Sequence, residues 1–173
     1  MEQAREYSLS DDDIRQLLGS DIKITPYGDL EHVSNINELF DRKGRAIIFF
    51  PQENERVGHW CAMIKDGRQI EFFDPYGEEP DAQKDNLSKS KLEQLRMDHP
   101  DLTELLLKSG CRVIFNKVQL QKLSNHVQTC GRHCVSRLLY SKYPIQRYRE
   151  MIRGSGMSPD DFVIKATYDS LGK

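Results

Sequence analysis

The pattern of apolar and polar residues predicts a small mixed β-sheet flanked by helices. Apolar runs of strand length occupy residues 45–50, 59–65, 69–73 and 111–116, and they are rich in β-branched and aromatic residues. Helical spacing covers 10–18, 34–40, 88–97, 101–108, 130–140, 148–152 and 159–168. This order predicts an α+β fold. Residues 1–173 are treated as a single domain, because a chain of this length can bury one sizeable core.

The remaining segments are predicted to be turns and loops. Residues 21–29 suggest a short extended piece and a turn, and Pro51 is expected to end the first strand. Residues 52–58 are a polar loop, and the acidic residues 78–86 are an exposed one. The connection 117–129 has no clear pattern.

A β-hairpin is predicted where the sequence reads HWCAMIKDGRQIEFFD, from His59 to Asp74. The DG dipeptide at 66–67 favours a type I′ turn, which needs positive φ at both central positions. If Lys65 and Arg68 flank that turn, His59 and Asp74 lie directly opposite on one face, with Cβ atoms about 4.5–5.5 Å apart. A carboxylate so placed can orient an imidazole and stabilise its charged form.

Composition narrows the classes of function. The net charge of −2 gives no support for a nucleic-acid partner and leaves open only a local basic patch. The longest apolar run, around residues 46–51, is too short to span a membrane. The acidic, polar N-terminus is unlike a secretory signal peptide, and four cysteines in 173 residues indicate a reducing compartment rather than a disulfide scaffold.

Cys130 is the cysteine best placed for chemistry. It opens a predicted helix between Thr129 and Gly131, and the N–H groups and dipole at a helix start favour a thiolate. Glycine at 131 would also let a substrate backbone approach closely. Taken alone, Cys130 suits a structural role equally well, but the predicted pair of His59 and Asp74 favours a nucleophile.

Packing is the expected role of the other cysteines and of the tryptophan. Cys61 and Cys111 lie in apolar strands, where free cysteine is usually buried. Cys134 follows Cys130 by one helical turn. Trp60 points away from His59 in a strand, so core packing is its default role and substrate binding is the alternative.

A metal site is the first competing interpretation. The potential ligands are His59, Cys61, His126, Cys130, His133 and Cys134. They lack the paired spacing that is typical of zinc sites, so we predict no metal and no other cofactor. Arg132 and His133 are expected to face solvent or to line a groove.

Three motifs together resemble a known family: GHW at 58–60, FFDPYG at 72–77 and TCGRHC at 129–134. They are similar to the cysteine proteases of clan CE, typified by the adenovirus maturation protease, which include the SUMO-deconjugating proteases and related bacterial effectors. The resemblance covers residues 46–79 and 112–139, about a third of the chain. It is strongest to proteases of large DNA viruses, virophages and related capsid-bearing elements.

The resemblance implies the adenovirus-protease and SUMO-protease-like fold and a catalytic triad. Cys130 is then the nucleophile, His59 the general base and acid, and Asp74 the residue that orients the histidine. The family also has a glutamine before the cysteine, whose amide joins the cysteine N–H in an oxyanion hole. The usual spacing falls on Leu123 and Ser124 in this chain, so the match departs from the family here.

Three glutamines are candidates for the oxyanion hole that the resemblance implies. Gln121, nine residues before Cys130, is preferred, with inserted residues in the intervening loop. Gln128, two residues before, is the alternative, and Gln119 ranks third.

The resemblance implies a cysteine endopeptidase that processes capsid or other virion precursors, often after small residues such as glycine. Its partners would be the polypeptide substrate and an activating peptide, to which Cys111 could form a disulfide. Its location would be the virion or the cytoplasm of an infected cell. The alternatives on the same fold are a deconjugating protease for SUMO or ubiquitin-like modifiers and an acetyltransferase effector. The complete triad argues against an inactive binding module.

Overall fold

The computed structural model describes residues 2–54 and 56–172. The strands are β1 (Lys23–Pro26), β2 (Arg45–Asn54), β3 (Val57–Asp66), β4 (Gln69–Phe73) and β5 (Arg112–Phe115). The α-helices are α1 (Glu2–Glu6), α2 (Asp11–Leu18), α3 (Lys89–Gln94), α4 (Asp101–Lys108), α5 (Cys130–Leu139), α6 (Ile145–Gly154) and α7 (Pro159–Leu171). Short 3₁₀ helices cover Tyr27–His32, Ile36–Leu39 and Ala82–Asn86. In the described part of the chain, every helix falls short of the length and apolarity needed to cross a bilayer.

The five strands form one mixed sheet in the order β1-β2-β3-β4-β5. β2, β3 and β4 are antiparallel neighbours, whereas β1 and β5 run parallel to β2 and β4 at the two edges. The predicted α+β fold, with a small mixed sheet flanked by helices, is confirmed.

Each face of the sheet carries its own apolar core, because successive strand residues point to opposite faces. The α5 face packs against α2, α5 and α6 with the side chains Ile47, Phe49, Trp60, Ala62, Ile64 and Phe73. The α4 face packs against α4 and the 3₁₀ helix Tyr27–His32 with Ala46, Ile48, Phe50, Cys61, Met63 and Phe72. His59 precedes Cys61 by two residues and therefore belongs to the α4 face, while the helix that begins at Cys130 covers the α5 face.

The prediction that Pro51 ends the first strand is wrong, since β2 continues to Asn54. The last residue of β2 paired with β1 is Phe49, so Pro51 lies where that side of β2 has no neighbouring strand. A missing N–H costs little on an unpaired strand edge. The predicted loop over 52–58 is correspondingly short, and Glu55 within it lies outside the described residues.

The predicted register of the β3–β4 hairpin is wrong by two residues. Asp66 pairs with Gln69, so the central turn residues are Gly67 and Arg68. Only Gly67 of these two has a positive φ, +56°, which suits a type II′ turn and excludes type I′. The true register places Asp74 across from Cys61 rather than His59. Because the register shifts by two residues, His59 and Asp74 still lie on the same face of the sheet, as predicted.

Residues 78–86 are not the exposed loop that their polar composition predicts. Gln83 and Lys84 are buried in the 3₁₀ helix Ala82–Asn86. Lys84 Nζ donates to the Tyr27 hydroxyl at 3.2 Å, and Tyr27 donates to the Asp81 carboxylate. These contacts between distant segments hold the loop against the α4-face core. No short-range sequence pattern predicts them.

Three further expectations need correction. Cys111 is half-buried instead of buried, and it directly precedes the edge strand β5. Arg132 and His133 are fully buried rather than facing solvent or a groove: Arg132 donates to Thr167 Oγ1 at 2.6 Å, and His133 Nε2 contacts the Asp160 carboxylate at 3.0 Å. A polar residue type predicted exposure, but paired partners on α7 make burial tolerable.

A buried ion pair fixes α5 on the sheet. Arg137 on α5 donates from Nε to Glu71 Oε2 at 2.8 Å and from Nη2 to Glu71 Oε1 at 3.0 Å. The guanidinium also donates to the carbonyls of Tyr140 and Tyr143. Both charged side chains are less than 10% exposed, so the pair is shielded from solvent.

Replacing Glu71 with alanine should lower the free energy of unfolding by about 3–5 kcal/mol, because the guanidinium of Arg137 would stay buried without its counter-charge. Glu150→Ala is the matched control, since Glu150 forms an exposed pair with Arg147, and its loss should cost about 1 kcal/mol or less. Urea unfolding followed by circular dichroism measures both. Equal, small losses would contradict the importance of the buried pair.

Candidate functional site

His59 and Asp74 form a buried hydrogen-bonded pair at the end of the hairpin. His59 Nε2 lies 2.9 Å from Asp74 Oδ1, and both side chains are less than 5% exposed. Their Cα positions are diagonal in the sheet, and two side chains of this size can meet across such a diagonal. With Nε2 engaged by the carboxylate, Nδ1 is the ring nitrogen left for a second partner.

The Asp74 carboxylate is held by two further donors. Oδ1 accepts the backbone N–H of Tyr76 at 2.7 Å, which closes a turn directly after β4. Oδ2 accepts the side-chain amide of Gln83 at 3.0 Å. The same Gln83 nitrogen contacts Glu78 Oε2 at 3.2 Å. Three donors from different segments thus fix both oxygens of a fully buried carboxylate.

The Tyr76 ring holds the imidazole from its face. The two rings are stacked, with centroids 4.8 Å apart and planes 12° from parallel. The DPYG segment therefore supplies a hydrogen-bond acceptor and an aromatic wall for His59. This leaves the ring little freedom to rotate away from the carboxylate.

Cys130 is the first residue of α5, and it lines the same groove as His59. Burial raises the pKa of the Cys130 thiol, but the hydrogen bond and charge of His59 outweigh it and the pKa is lowered. Backbone hydrogen bonds from Trp60 and Gly131 act in the same direction. Burial in turn lowers the pKa of His59, yet hydrogen bonds to Asp74 and Cys130 raise it overall. Both shifts favour a thiolate beside an imidazolium.

The two other buried cysteines are held as neutral thiols. Burial raises the pKa of Cys61 well above its usual value, and the nearby charge of Asp74 adds to this. Burial and the charge of Cys130 do the same to Cys134, whose Sγ donates to the Trp60 carbonyl at 3.3 Å. The packing role predicted for both agrees with these positions.

A groove of about 430 Å³ opens onto the candidate nucleophile. Its lining consists of Gln52, Gly58, His59, Tyr76, Gln121, Leu123, Ser124, Asn125, Gln128 and Cys130. The groove therefore gathers the sulfur, the imidazole and the two leading glutamine candidates. Through this groove the sulfur and the imidazole, both almost wholly buried, can be reached from solvent.

Gln121 is the more firmly held of these glutamines. It is buried, and its Nε2 donates to the Val127 carbonyl at 3.1 Å. Its backbone N–H donates to Pro75 O at 3.0 Å, which ties it to the turn after Asp74. The Gln121 Oε1 atom is buried and has no hydrogen-bond partner among the described residues. The amide is thus fixed at one end only.

Gln128 and Gln119 are held differently. Gln128 is half-buried in the same groove, and its amide reaches the Asn125 carbonyl only at 3.5 Å. Gln119 is exposed, does not line the groove, and donates from Nε2 to the backbone carbonyl of Gln121. Of the three, Gln121 is the buried one, and which of them serves an oxyanion hole stays a prediction.

The space above Gly131 is filled by the chain itself. A Cβ at this position would lie 3.0 Å from Leu9 Cβ and 3.2 Å from Trp60 Cδ1. Trp60 is buried, and its indole N–H donates to the Leu9 carbonyl at 3.2 Å. Glycine at 131 thus serves the packing of the N-terminal segment. Trp60 also borders a second cavity of about 490 Å³ next to the groove, so the predicted substrate role stays open for it.

Sequence reasoning missed two residues of this site. Tyr76 lies within the FFDPYG motif, and its stacking on His59 could have been anticipated from the tight turn that follows Asp74. Gln83 gave no such signal, because it comes from a segment whose composition suggested an exposed loop.

The structure does not bring together the six potential metal ligands that the sequence suggests, but it does bring together a smaller group. His126 is exposed and His133 is engaged by Asp160, so the crowded stretch does not converge. Among the described residues, one group could hold a metal ion: His59, Cys61 and Asp74, whose ligand atoms lie within 4.8 Å of one another. The Asp74 oxygens of this group already accept three hydrogen bonds, one of them from His59 Nε2. The donor set suits a charge-orienting pair better than a metal.

The chain resembles a viral protein over most of its length. It is 30% identical over 165 residues to uncharacterized protein V9 of Sputnik virophage, covering 92% of this chain and 94% of V9. The chain belongs to the V9 family. No protein-family model matches it. The structure can also be aligned with the central domain of the uncharacterized Lpg1148 protein from Legionella pneumophila. The alignment covers 96% of this chain and 99% of that domain, with 14% sequence identity and a TM-score of 0.43. At this similarity it adds nothing on fold or function.

Brief treatment with dilute iodoacetamide at about pH 6 should label Cys130 selectively, because an ordinary thiol with a pKa near 8.5 is almost wholly protonated there. Labelling should fall by at least about tenfold in His59→Ala, since the imidazole no longer stabilises the thiolate. Peptide mapping by mass spectrometry measures this. The half-exposed Cys111 is the internal comparison. Equal, slow labelling of every cysteine in both proteins would contradict an activated Cys130.

Proposed function

We propose that this V9-family protein is a cysteine endopeptidase with Cys130 as its nucleophile. One observation carries the proposal: a buried hydrogen bond joins Asp74 to His59, and His59 and Cys130 line the same groove. The pKa shifts of His59 and Cys130 favour the thiolate–imidazolium pair that thiol proteases require. The resemblance of GHW, FFDPYG and TCGRHC to the clan CE motifs supports the same assignment and the corresponding fold.

The mechanism is acyl transfer through a thioester. The Cys130 thiolate attacks the scissile carbonyl carbon, and the carbonyl electrons move to oxygen as a tetrahedral oxyanion forms. The imidazolium of His59 then gives its proton to the leaving amine as the C–N bond breaks. Water, deprotonated by neutral His59, attacks the thioester, and the released thiolate regains its imidazolium partner. Asp74 keeps the imidazole in one orientation and stabilises its charged form.

Gln121 is the proposed partner of the Cys130 N–H in stabilising the oxyanion. Its amide nitrogen has two hydrogens, and one is given to the Val127 carbonyl, which leaves the other for the substrate oxygen. Because the amide is preordered, it needs little reorganisation during the reaction.

The proposed substrates are precursors of capsid or other virion proteins, cut after small residues such as glycine. A family member encoded by a virophage supports a viral setting, and hence the virion or the infected cell as the place of action. The polar groove of about 430 Å³ suits an extended peptide segment.

Incubating the reduced protein with a proteome-derived peptide library should generate new N-termini, detected by mass spectrometry. Cleavage should vanish in Cys130→Ser and persist in Cys111→Ser, a matched change outside the groove. If the protein instead cleaves proteins fused to the C-terminus of ubiquitin or SUMO and leaves the library intact, the proposed endopeptidase activity is wrong and the protein is a deconjugating enzyme. Cys130-dependent transfer from acetyl coenzyme A without hydrolysis would overturn both.

Gln121→Ala should lower kcat on a cleaved peptide by about 10²–10³-fold, the usual cost of losing one oxyanion donor. Gln128→Ala should change kcat by less than about tenfold, because that amide is half-exposed and weakly held. Steady-state kinetics separates the two, with iodoacetamide labelling as a check that Cys130 stays reactive. The reverse order of losses would assign the oxyanion hole to Gln128.

A further inference from the structure

One carboxylate outside the groove binds both ends of the loop that connects the two proposed oxyanion donors, Gln121 and Cys130. Asp160, near the start of α7, is 6% exposed. Its Oδ1 accepts the Thr129 hydroxyl at 2.5 Å and contacts His133 Nε2 at 3.0 Å. Its Oδ2 accepts the backbone N–H of Lys122 at 3.1 Å.

The two loop residues that Asp160 binds are chain neighbours of the proposed oxyanion donors. Lys122 directly follows Gln121, and Thr129 directly precedes Cys130. Residues 122–129 between them contain no helix or strand and are largely exposed. A loop of this kind does not fix the spacing of its ends by itself; contacts outside the loop do so, and Asp160 contacts both ends.

Thr129 uses its hydroxyl in an unusual way for a residue at a helix start. A threonine at this position commonly accepts a backbone N–H of the first turn, but Thr129 makes no such bond. Its hydroxyl is directed to Asp160 instead. Burial raises the pKa of Asp160, but hydrogen bonds from His133 and Thr129 outweigh it and lower the pKa. The group is therefore a charged acceptor.

We propose that Asp160 is a positioning residue that sets the distance between the Gln121 amide and the Cys130 N–H. It does not touch the reacting atoms, and the inference rests on the proposed function of the site. Because one rigid carboxylate binds both ends of the loop, its removal should misplace the oxyanion donors relative to each other. It should leave the His59–Cys130 contact intact, since that contact depends on the sheet and α5.

Three reactions of the same sulfur test the proposal. Alkylation by iodoacetamide forms no oxyanion, whereas peptide hydrolysis and adduct formation with a tripeptide aldehyde ending in glycinal do. Thr129 and Lys122 donate to different oxygens of Asp160, and Asp160→Asn replaces one of these oxygens by an NH2 group, so the two donors no longer both meet a carboxylate oxygen. We expect kcat to fall by about 10–100-fold and aldehyde affinity to fall similarly, with alkylation at pH 6 changed less than about twofold.

Asp161→Asn is the control, because it removes the same charge from the next residue, whose carboxylate binds Arg5 instead. It should behave as the wild type. If Asp160→Asn does not fold, Thr129→Val removes only one arm of the anchor, and Thr129→Ser should restore it.

Unchanged hydrolysis in Asp160→Asn or Thr129→Val would overturn the positioning role. So would a parallel loss of alkylation, which would show a general structural role. A wild-type protein that is alkylated at Cys130 yet neither hydrolyses peptide nor binds the aldehyde would instead overturn the proposed function, and this inference with it.

Discussion

The buried carboxylate of Asp74 is the group on which the arrangement of the candidate site depends. An unpaired charge in a protein interior costs several kcal/mol, and this one is tolerated because His59, the Tyr76 N–H and Gln83 satisfy it together. Each donor belongs to a different segment: β3, the turn after β4, and a 3₁₀ helix. The charge therefore both orients the imidazole and ties these three segments to one point.

The site also depends on packing across the sheet. His59 comes from the α4 face and Cys130 from the helix that covers the α5 face, so the two cores must keep a fixed spacing for sulfur and imidazole to meet. The apolar contacts of α5 and the Glu71–Arg137 pair supply that constraint. The geometry of the candidate site and the stability of the fold therefore depend on the same helix.

Local patterns predicted much of this structure. Strand-length apolar runs, the helix opened by Ser10 and the α+β class were all accessible from the sequence, as was the shared face of His59 and Asp74. The turn was misplaced because Asp66 and Gly67 form a strong turn signal, although glycine at the first central position decides the outcome. The burial of His133 and Arg132 could not be predicted, since their partners lie 27 and 35 residues away, and that of Gln83 could not, because its segment is mostly polar.

The two halves of the site are held by different kinds of constraint, and this affects how the V9 family can change in evolution. The positions of His59 and Asp74 follow strand alternation, so a single-residue insertion in β3 or β4 would send one side chain to the wrong face. The loop from Gln121 to Cys130 is held by hydrogen bonds at its ends, to Pro75 and Asp160. Its length can therefore drift while its ends stay in place. Distant relatives should be recognisable by these anchors even where the spacing between glutamine and cysteine differs.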